Sequence, residues 1–193
     1  MKKIAYIIPG YGESHLKQRG YNKVAKFFEA RGVTPIHVEI GWGRNKPERF
    51  SEYAEQFLKQ YKKQKGVETY ILGFSYGATL AFLTAHKTKP KAFIFCSLSP
   101  YFEEDLIHLK PSWVKWFRKS FTESDYSFTK LALKIKTRTY LIAGDDEGKE
   151  VMSRAKDAKR KLCDSSLAIA RGAKHKIGQE EYLKTIRRVI SKL

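Results

Sequence analysis

The sequence predicts an α/β protein: a doubly wound, mainly parallel sheet of about six strands, with helices on both faces and a small helical cap insertion. Three observations carry this. Short apolar runs alternate with segments of helical period along the chain, and several runs are continuously apolar, as parallel strands covered on both faces are. Only one interval, residues 98–136, breaks the alternation. At 193 residues the chain has room for one domain with a substantial core, so 1–193 reads as a single domain carrying 98–136 as an insertion.

The first run, residues 3–8, is β-patterned and stops at Pro9. Tyr21, Val24, Ala25 and Phe28 follow at helical spacing, and Gly32 supplies a stop. A second strand is predicted over 34–40. The next helix gathers Phe50, Tyr53, Ala54, Phe57, Leu58 and Tyr61 on one face. Residues 67–72 form the third strand, 78–85 an apolar helix and 92–97 the fourth strand.

The interval 98–136 is too long for a simple connection and holds Tyr101, Phe102, Trp113, Trp116, Phe117, Phe121, Tyr126 and Phe128. Trp113, Trp116 and Phe117 fall at i, i+3 and i+4, so a short helix would carry all three on one face. Two compatible roles follow. The insertion packs its aromatics onto the core, or it acts as a lid in which Tyr101, Trp113, Trp116 and Phe117 shape an apolar substrate pocket. Strands at 137–143 and 165–170 complete the series. Val151, Ala155, Ala158 and Leu162 line the helix between them, and Leu183, Ile186, Ile190 and Leu193 line the last.

Thirty-eight Lys and Arg against twenty Asp and Glu give a formal net charge of +18, which attracts phosphate backbones and anionic membranes. The cations are dispersed. Lys23 and Lys26, Lys59 and Lys62, Lys156 and Lys159, and Arg187 and Arg188 sit on the polar sides of separate helices, and no nucleic-acid-binding motif accompanies them. Neither specific nucleic-acid binding nor stable membrane association is expected. The rival reading is a basic binding protein that uses this surface.

Cys96 and Cys163 have no metal-site or redox-pair spacing, and without a disulfide framework a reducing compartment is expected. The apolar run after Met1 ends at Pro9, too short for a signal segment. The expected location is cytoplasmic.

Gly73-Phe74-Ser75-Tyr76-Gly77 is a G-x-S-x-G motif between a predicted strand and a predicted helix. Five such positions match by chance often enough; the flanking elements give the motif its meaning. At a tight strand-to-helix turn the serine backbone is strained and its hydroxyl is pushed out beyond the sheet edge. Ser75 is the candidate nucleophile.

A serine hydroxyl needs a base, the base needs an orienting carboxylate, and the developing oxyanion needs donors. His175 lies between the last strand and the last helix, on the carboxyl edge of the sheet where Ser75 also falls. The other histidines lack that placement. Gly144-Asp145-Asp146-Glu147-Gly148 follows the strand at 137–143 and offers the acid, with Glu147 and Asp146 both candidates and Asp145 third. An EF-hand pattern of alternating oxygen ligands is absent, so no metal is expected there. The N–H groups of Tyr11, in Pro9-Gly10-Tyr11-Gly12, and of Tyr76 are the natural oxyanion-hole pair. That glycine pair lacks the G-x-G-x-x-G continuation and the lysine of a phosphate loop.

With Pro9-Gly10-Tyr11-Gly12, the elbow, the acidic loop and His175 in this order, the chain resembles a compact member of the α/β-hydrolase superfamily. The resemblance covers nearly the whole chain. It implies a serine hydrolase acting on a small carboxylic ester or thioester without a cofactor, through an acyl-enzyme on Ser75. Three departures stand out. Pro9-Gly10 replaces the family's frequent His-Gly, and the opening antiparallel hairpin of larger members is missing. The family's aspartate position, three residues past the strand-end glycine, holds Glu147.

Overall fold

The computed structural model describes residues 1–43, 48–62, 65–122 and 126–193. The chain runs β1 (Lys2–Ile8), α1 (Arg19–Glu29), β2 (Thr34–His37), β3 (Glu48–Arg49), α2 (Phe50–Gln60), β4 (Val67–Phe74), α3 (Tyr76–Leu83), α4 (Ala85–Thr88) and β5 (Ala92–Cys96). The insertion follows, with α5 (Glu103–Leu106), α6 (Pro111–Ser120), β6 (Phe121–Thr122) and α7 (Phe128–Ala132). Then come β7 (Arg138–Gly144), α8 (Lys149–Lys161), β8 (Ser165–Ala170) and α9 (Glu180–Ile190).

Six strands pair in parallel in the order β2-β1-β4-β5-β7-β8. Strand order reverses between β1 and β4, which opens a crevice at their carboxyl ends. Side chains split by the two-residue period of a strand. Ile4, Tyr6, Ile8, Ile71, Phe93 and Phe95 enter one apolar layer with α2, α3 and the insertion. Ala5, Ile7, Tyr70, Leu72, Phe74, Ile94 and Cys96 enter the other with α1 and α9. Fully burying one such large side chain stabilises by roughly 1.5–3 kcal/mol.

α3 is apolar on all sides because it is buried on all sides, from Tyr76 to Phe82. The run expected as one helix over 78–85 breaks at Thr84, whose hydroxyl donates to Leu80 O at 2.7 Å, and resumes as α4. The second strand also ends early, at His37, although the Val38 N–H still donates to Ile7 O at 2.9 Å. An unexpected two-residue parallel pair, β3 with β6, ties the insertion to the start of α2. A pairing this short leaves no periodic signal.

Further contacts bind the insertion to the core and brace it within itself. Phe128 stacks on Phe82 at 4.5 Å between ring centres. Glu104 accepts hydrogen bonds from the N–H groups of Phe128 at 2.9 Å and Thr129 at 3.0 Å and from the Ser127 hydroxyl at 2.7 Å, closing the start of α7. Arg154 of α8, with a wholly buried side chain, donates to Asp105 at 3.1 Å and also pairs with Asp157. Its guanidinium lies 3.9 Å from the Phe128 ring centre. Residues 123–125 of the insertion lie outside the described residues. Among the described residues, no helix is long and apolar enough to cross a membrane.

Candidate active site

Ser75 joins β4 to α3 at the switch point with φ 54° and ψ −121°, a conformation side-chain-bearing residues rarely adopt. Its N–H donates to Cys96 O at 2.9 Å, and its carbonyl accepts from Ala78 N at 2.9 Å, so the strained turn is fixed on both sides. The flanking glycines are required by close approach. A Cβ on Gly73 would strike the backbone of Gly77 and Ala78, and one on Gly77 would strike the carbonyls of Ile8 and Pro9.

His175, on the loop after β8, places Nε2 3.0 Å from Ser75 Oγ and Nδ1 2.7 Å from Glu147 Oε2. Its ring rests 5.0 Å from that of Phe74. The Glu147 side chain is fully buried, and its other oxygen accepts from Gly144 N at 2.6 Å and Ser97 Oγ at 2.8 Å. Accepting at Oε2 calls for a proton on Nδ1, which leaves the Nε2 lone pair for the Ser75 hydroxyl.

Ser97 reaches Glu147 because it sits at φ 49°, with its N–H bonded to Ile142 O at 2.8 Å. Behind it, the Tyr182 hydroxyl lies 2.6 Å from Ser97 Oγ and 3.1 Å from Ile142 O. Burial above all, then the negative potential of Cys96 and Glu147, pushes the Tyr182 hydroxyl well above the ordinary tyrosine value and keeps it a donor. The result is a chain of donors from Tyr182 through Ser97 to Glu147.

The three carboxylates of the acidic loop have three placements. Glu147 meets the histidine. Asp146 points outward with its side chain 61% exposed, its carboxylate 4.0 Å from Lys174 Nζ, so of the two candidates it is not the one at the ring. The turn after Gly144 sends residue 146 to solvent and residue 147 inward, and the extra methylene of Glu147 spans to His175. Asp145 accepts from Gly172 N at 2.6 Å and fastens the two loops together.

The Pro9-Gly10 turn lies against the elbow, held by Gly10 N donating to the Tyr21 hydroxyl at 2.8 Å. A Cβ on Gly10 would come 3.3 Å from that of Ser75. Tyr11 follows, its ring 5.6 Å from that of Tyr76. The Tyr76 N–H belongs to the first turn of α3 and has no i−4 carbonyl within the helix.

A cleft of about 300 Å³ opens over Ser75, with Ser99, Tyr101, Trp113, Glu150 and Val151 in its walls. Two of the four aromatics expected to shape a pocket line it, Tyr101 and Trp113. Trp116 packs outside them, 6.3 Å from Tyr101, and Phe117 is fully buried beneath, stacked on Tyr101 at 4.4 Å. The three helical aromatics differ in height. Four residues of helix rise about 6 Å, so Trp113 reaches the cleft while Phe117 enters the core.

Ser97, Ser99, Glu150 and Tyr182 are site residues that the sequence reading passed over. A signal for two of them exists: Ser97-Leu98-Ser99-Pro100 puts two hydroxyls at the carboxyl end of an apolar strand. A larger groove of about 680 Å³ lies between β8 and α9, walled partly by Arg171, Lys184 and Arg188.

No family model and no curated protein sequence matches the chain. Solved structures do. MGS-MChE2, an α/β-hydrolase enzyme from the metagenome of lagoon sediments of Mar Chica, Morocco, is similar with a TM-score of 0.72 at 18% identity, over 100% of this chain and 90% of that one. The chain has the α/β-hydrolase fold. Est1E from Butyrivibrio proteoclasticus shares this fold with a TM-score of 0.77 at 15% identity, over 99% of this chain and 86% of that one. Dienelactone hydrolase from Anabaena variabilis gives 0.70 at 15%, over 99% and 84%. Within the α/β-hydrolase fold, this sheet is trimmed to six parallel strands among the described residues.

Proposed function

We propose that this chain is a serine hydrolase that cleaves a carboxylic ester or thioester through an acyl-enzyme on Ser75. One observation carries the reading: an unbroken hydrogen-bond chain from Ser75 Oγ through both nitrogens of His175 to the buried Glu147, standing on a strained elbow.

In the first half-reaction His175 Nε2 takes the Ser75 proton as Oγ attacks the carbonyl carbon. Glu147 holds the tautomer and stabilises the imidazolium. The N–H groups of Tyr11 and Tyr76 receive the oxyanion, and each such donor is worth about 10²–10³ in rate. His175 then protonates the leaving group, and water repeats the sequence in reverse roles to release the acid.

No step calls for a cofactor. The substrate is a small molecule, because the cleft lies at the lower end of the volumes that ligand pockets occupy. A dienelactone hydrolase and an Est1E with ferulic acid bound among the similar structures agree with a small-molecule substrate. A protein that binds only through its basic surface has no use for a strained serine aligned with a histidine and a buried carboxylate.

A fluorophosphonate probe tests the reading. It should modify Ser75 and nothing else, and Ser75→Ala should abolish both labelling and turnover of a short p-nitrophenyl ester, leaving only the small residual rate of the oxyanion donors. Folded wild-type protein that is neither labelled nor active on esters or thioesters overturns it.

A further inference from the structure

We infer that the Ser99 hydroxyl is a second catalytic donor, acting on the leaving-group oxygen, and that the preferred substrate is an oxygen ester of an ordinary alcohol. This rests on the hydrolase reading above.

Ser99 Oγ lies 3.3 Å from Ser75 Oγ, in a residue only 4% exposed that nevertheless lines the cleft. Proton accounting fixes the direction of that bond. Glu147 requires the proton on His175 Nδ1, so Nε2 accepts and the single Ser75 proton is directed to it. Ser75 Oγ can then only accept from Ser99. The donor is the hydroxyl of Ser99.

The sheet decides which side of the reacting carbon this donor serves. β4, which carries Ser75, lies between β1 and β5. The Pro9-Gly10-Tyr11 turn, following β1, flanks the nucleophile on one side. Ser99, following β5, flanks it on the other, where His175 and Glu147 also arrive from beyond β7 and β8. The Tyr11 donor and Ser99 are therefore on opposite flanks of β4, and Ser99 shares its flank with the group that protonates the leaving atom. Two turn features hold it there. Ser97 at φ 49° swings the chain off the strand, and the Tyr101 N–H closes back on Ser99 O at 3.0 Å.

When Ser75 Oγ attacks, its O–H bond breaks and the proton passes to His175 Nε2, while a bond forms to the carbonyl carbon and the carbonyl π pair moves onto its oxygen. Bonded to carbon, Oγ is a weaker acceptor and competes less for the Ser99 proton. When the tetrahedral centre collapses, the bond from carbon to the leaving oxygen breaks and that oxygen receives the His175 proton. Ser99 keeps its own proton throughout and donates a hydrogen bond to the oxygen as negative charge gathers on it. A thioester sulfur is a weak acceptor and gains little from such a donor, which points to oxygen esters. An alkoxide gains most, because it leaves with the most charge.

The test measures kcat/KM for wild type, Ser99→Ala and Ser99→Thr on acetyl esters of ethanol and of p-nitrophenol and on an acetyl thioester, alongside fluorophosphonate labelling. Ser99→Ala should lose about tenfold or more on the ethyl ester, the worth of one hydrogen bond to a charged oxygen, and a few-fold at most on the p-nitrophenyl ester and thioester. Ser99→Thr, which keeps the hydroxyl, should recover most of the loss. Equal losses on all three substrates would make Ser99 a positioning residue for Ser75 only, and no loss on any would remove it from the chemistry; either overturns the proposal. Wild-type protein that takes no label marks failure of the hydrolase reading itself, which a selective failure of Ser99 does not.

Discussion

The carboxylate of Glu147 and the ring of His175 meet at 2.7 Å although one side chain is fully buried and the other 44% exposed. The contact joins the core to the cleft. Glu147 is held by Gly144 N–H and Ser97 on the inner side, so the freedom left in the pair belongs mainly to the histidine, which lines the cleft.

That asymmetry separates the acidic loop residues in function. Glu147→Gln should fold normally and lose about 10³–10⁴ in ester turnover, because an amide nitrogen presented to Nδ1 favours the wrong imidazole tautomer. Asp146→Asn, altering an exposed side chain, should stay within roughly twofold of wild type. Ester kinetics on the two variants side by side check this, and a collapsed Asp146→Asn with a healthy Glu147→Gln would reverse the assignment.

The aromatic helix of the insertion should divide between substrate choice and stability. Trp113→Ala, at the cleft wall, should shift acyl-chain preference by several-fold with little change in Tm. Phe117→Ala removes a fully buried ring and should cost about 3–5 kcal/mol, a fall in Tm on the order of 10 °C. Thermal melts and a chain-length series of esters read the two effects separately.

Acid should loosen the insertion through Glu104. Burial pushes this carboxyl up, but the N–H of Thr129, the Ser127 hydroxyl and the N–H of Phe128 outweigh it and hold the group at about 2, below its ordinary 4.5. A depressed folded-state value means a contribution that is complete above about 4.5 and lost as pH falls through about 2. Glu104→Gln should be less stable by about 1–2 kcal/mol at neutral pH. The gap between variant and wild type, followed by denaturant melts, should close between those two pH values; a constant gap would show that the bonds do not depend on the charge.

The fold was legible from the sequence because its determinants are local. A strand covered on both faces must be apolar at every position, as 92–96 is, and helices on such a sheet must repeat every three to four residues, as Tyr21, Val24, Ala25 and Phe28 do. The tight turn at Ser75 was legible through the two glycines within two residues of it, Gly73 demanded by the contact of β4 with α3 and Gly77 by the approach of the end of β1 to α3. The placement of His175 near Ser75 was legible from its position after the last strand, since topology alone carries that loop to the carboxyl edge. Other features depended on directions that no spacing encodes. Whether residue 146 or 147 meets the histidine turns on the path of one tight loop, and the same is true of Trp113 and Phe117, which share a helix face but not a height. Ser97 and Ser99 enter the site because a left-handed residue bends the chain off β5, and Tyr182 reaches Ser97 across 85 residues of sequence. Periodicity fixes which face of an element is buried; only packing of the elements against one another decides which atoms on that face come within a hydrogen bond.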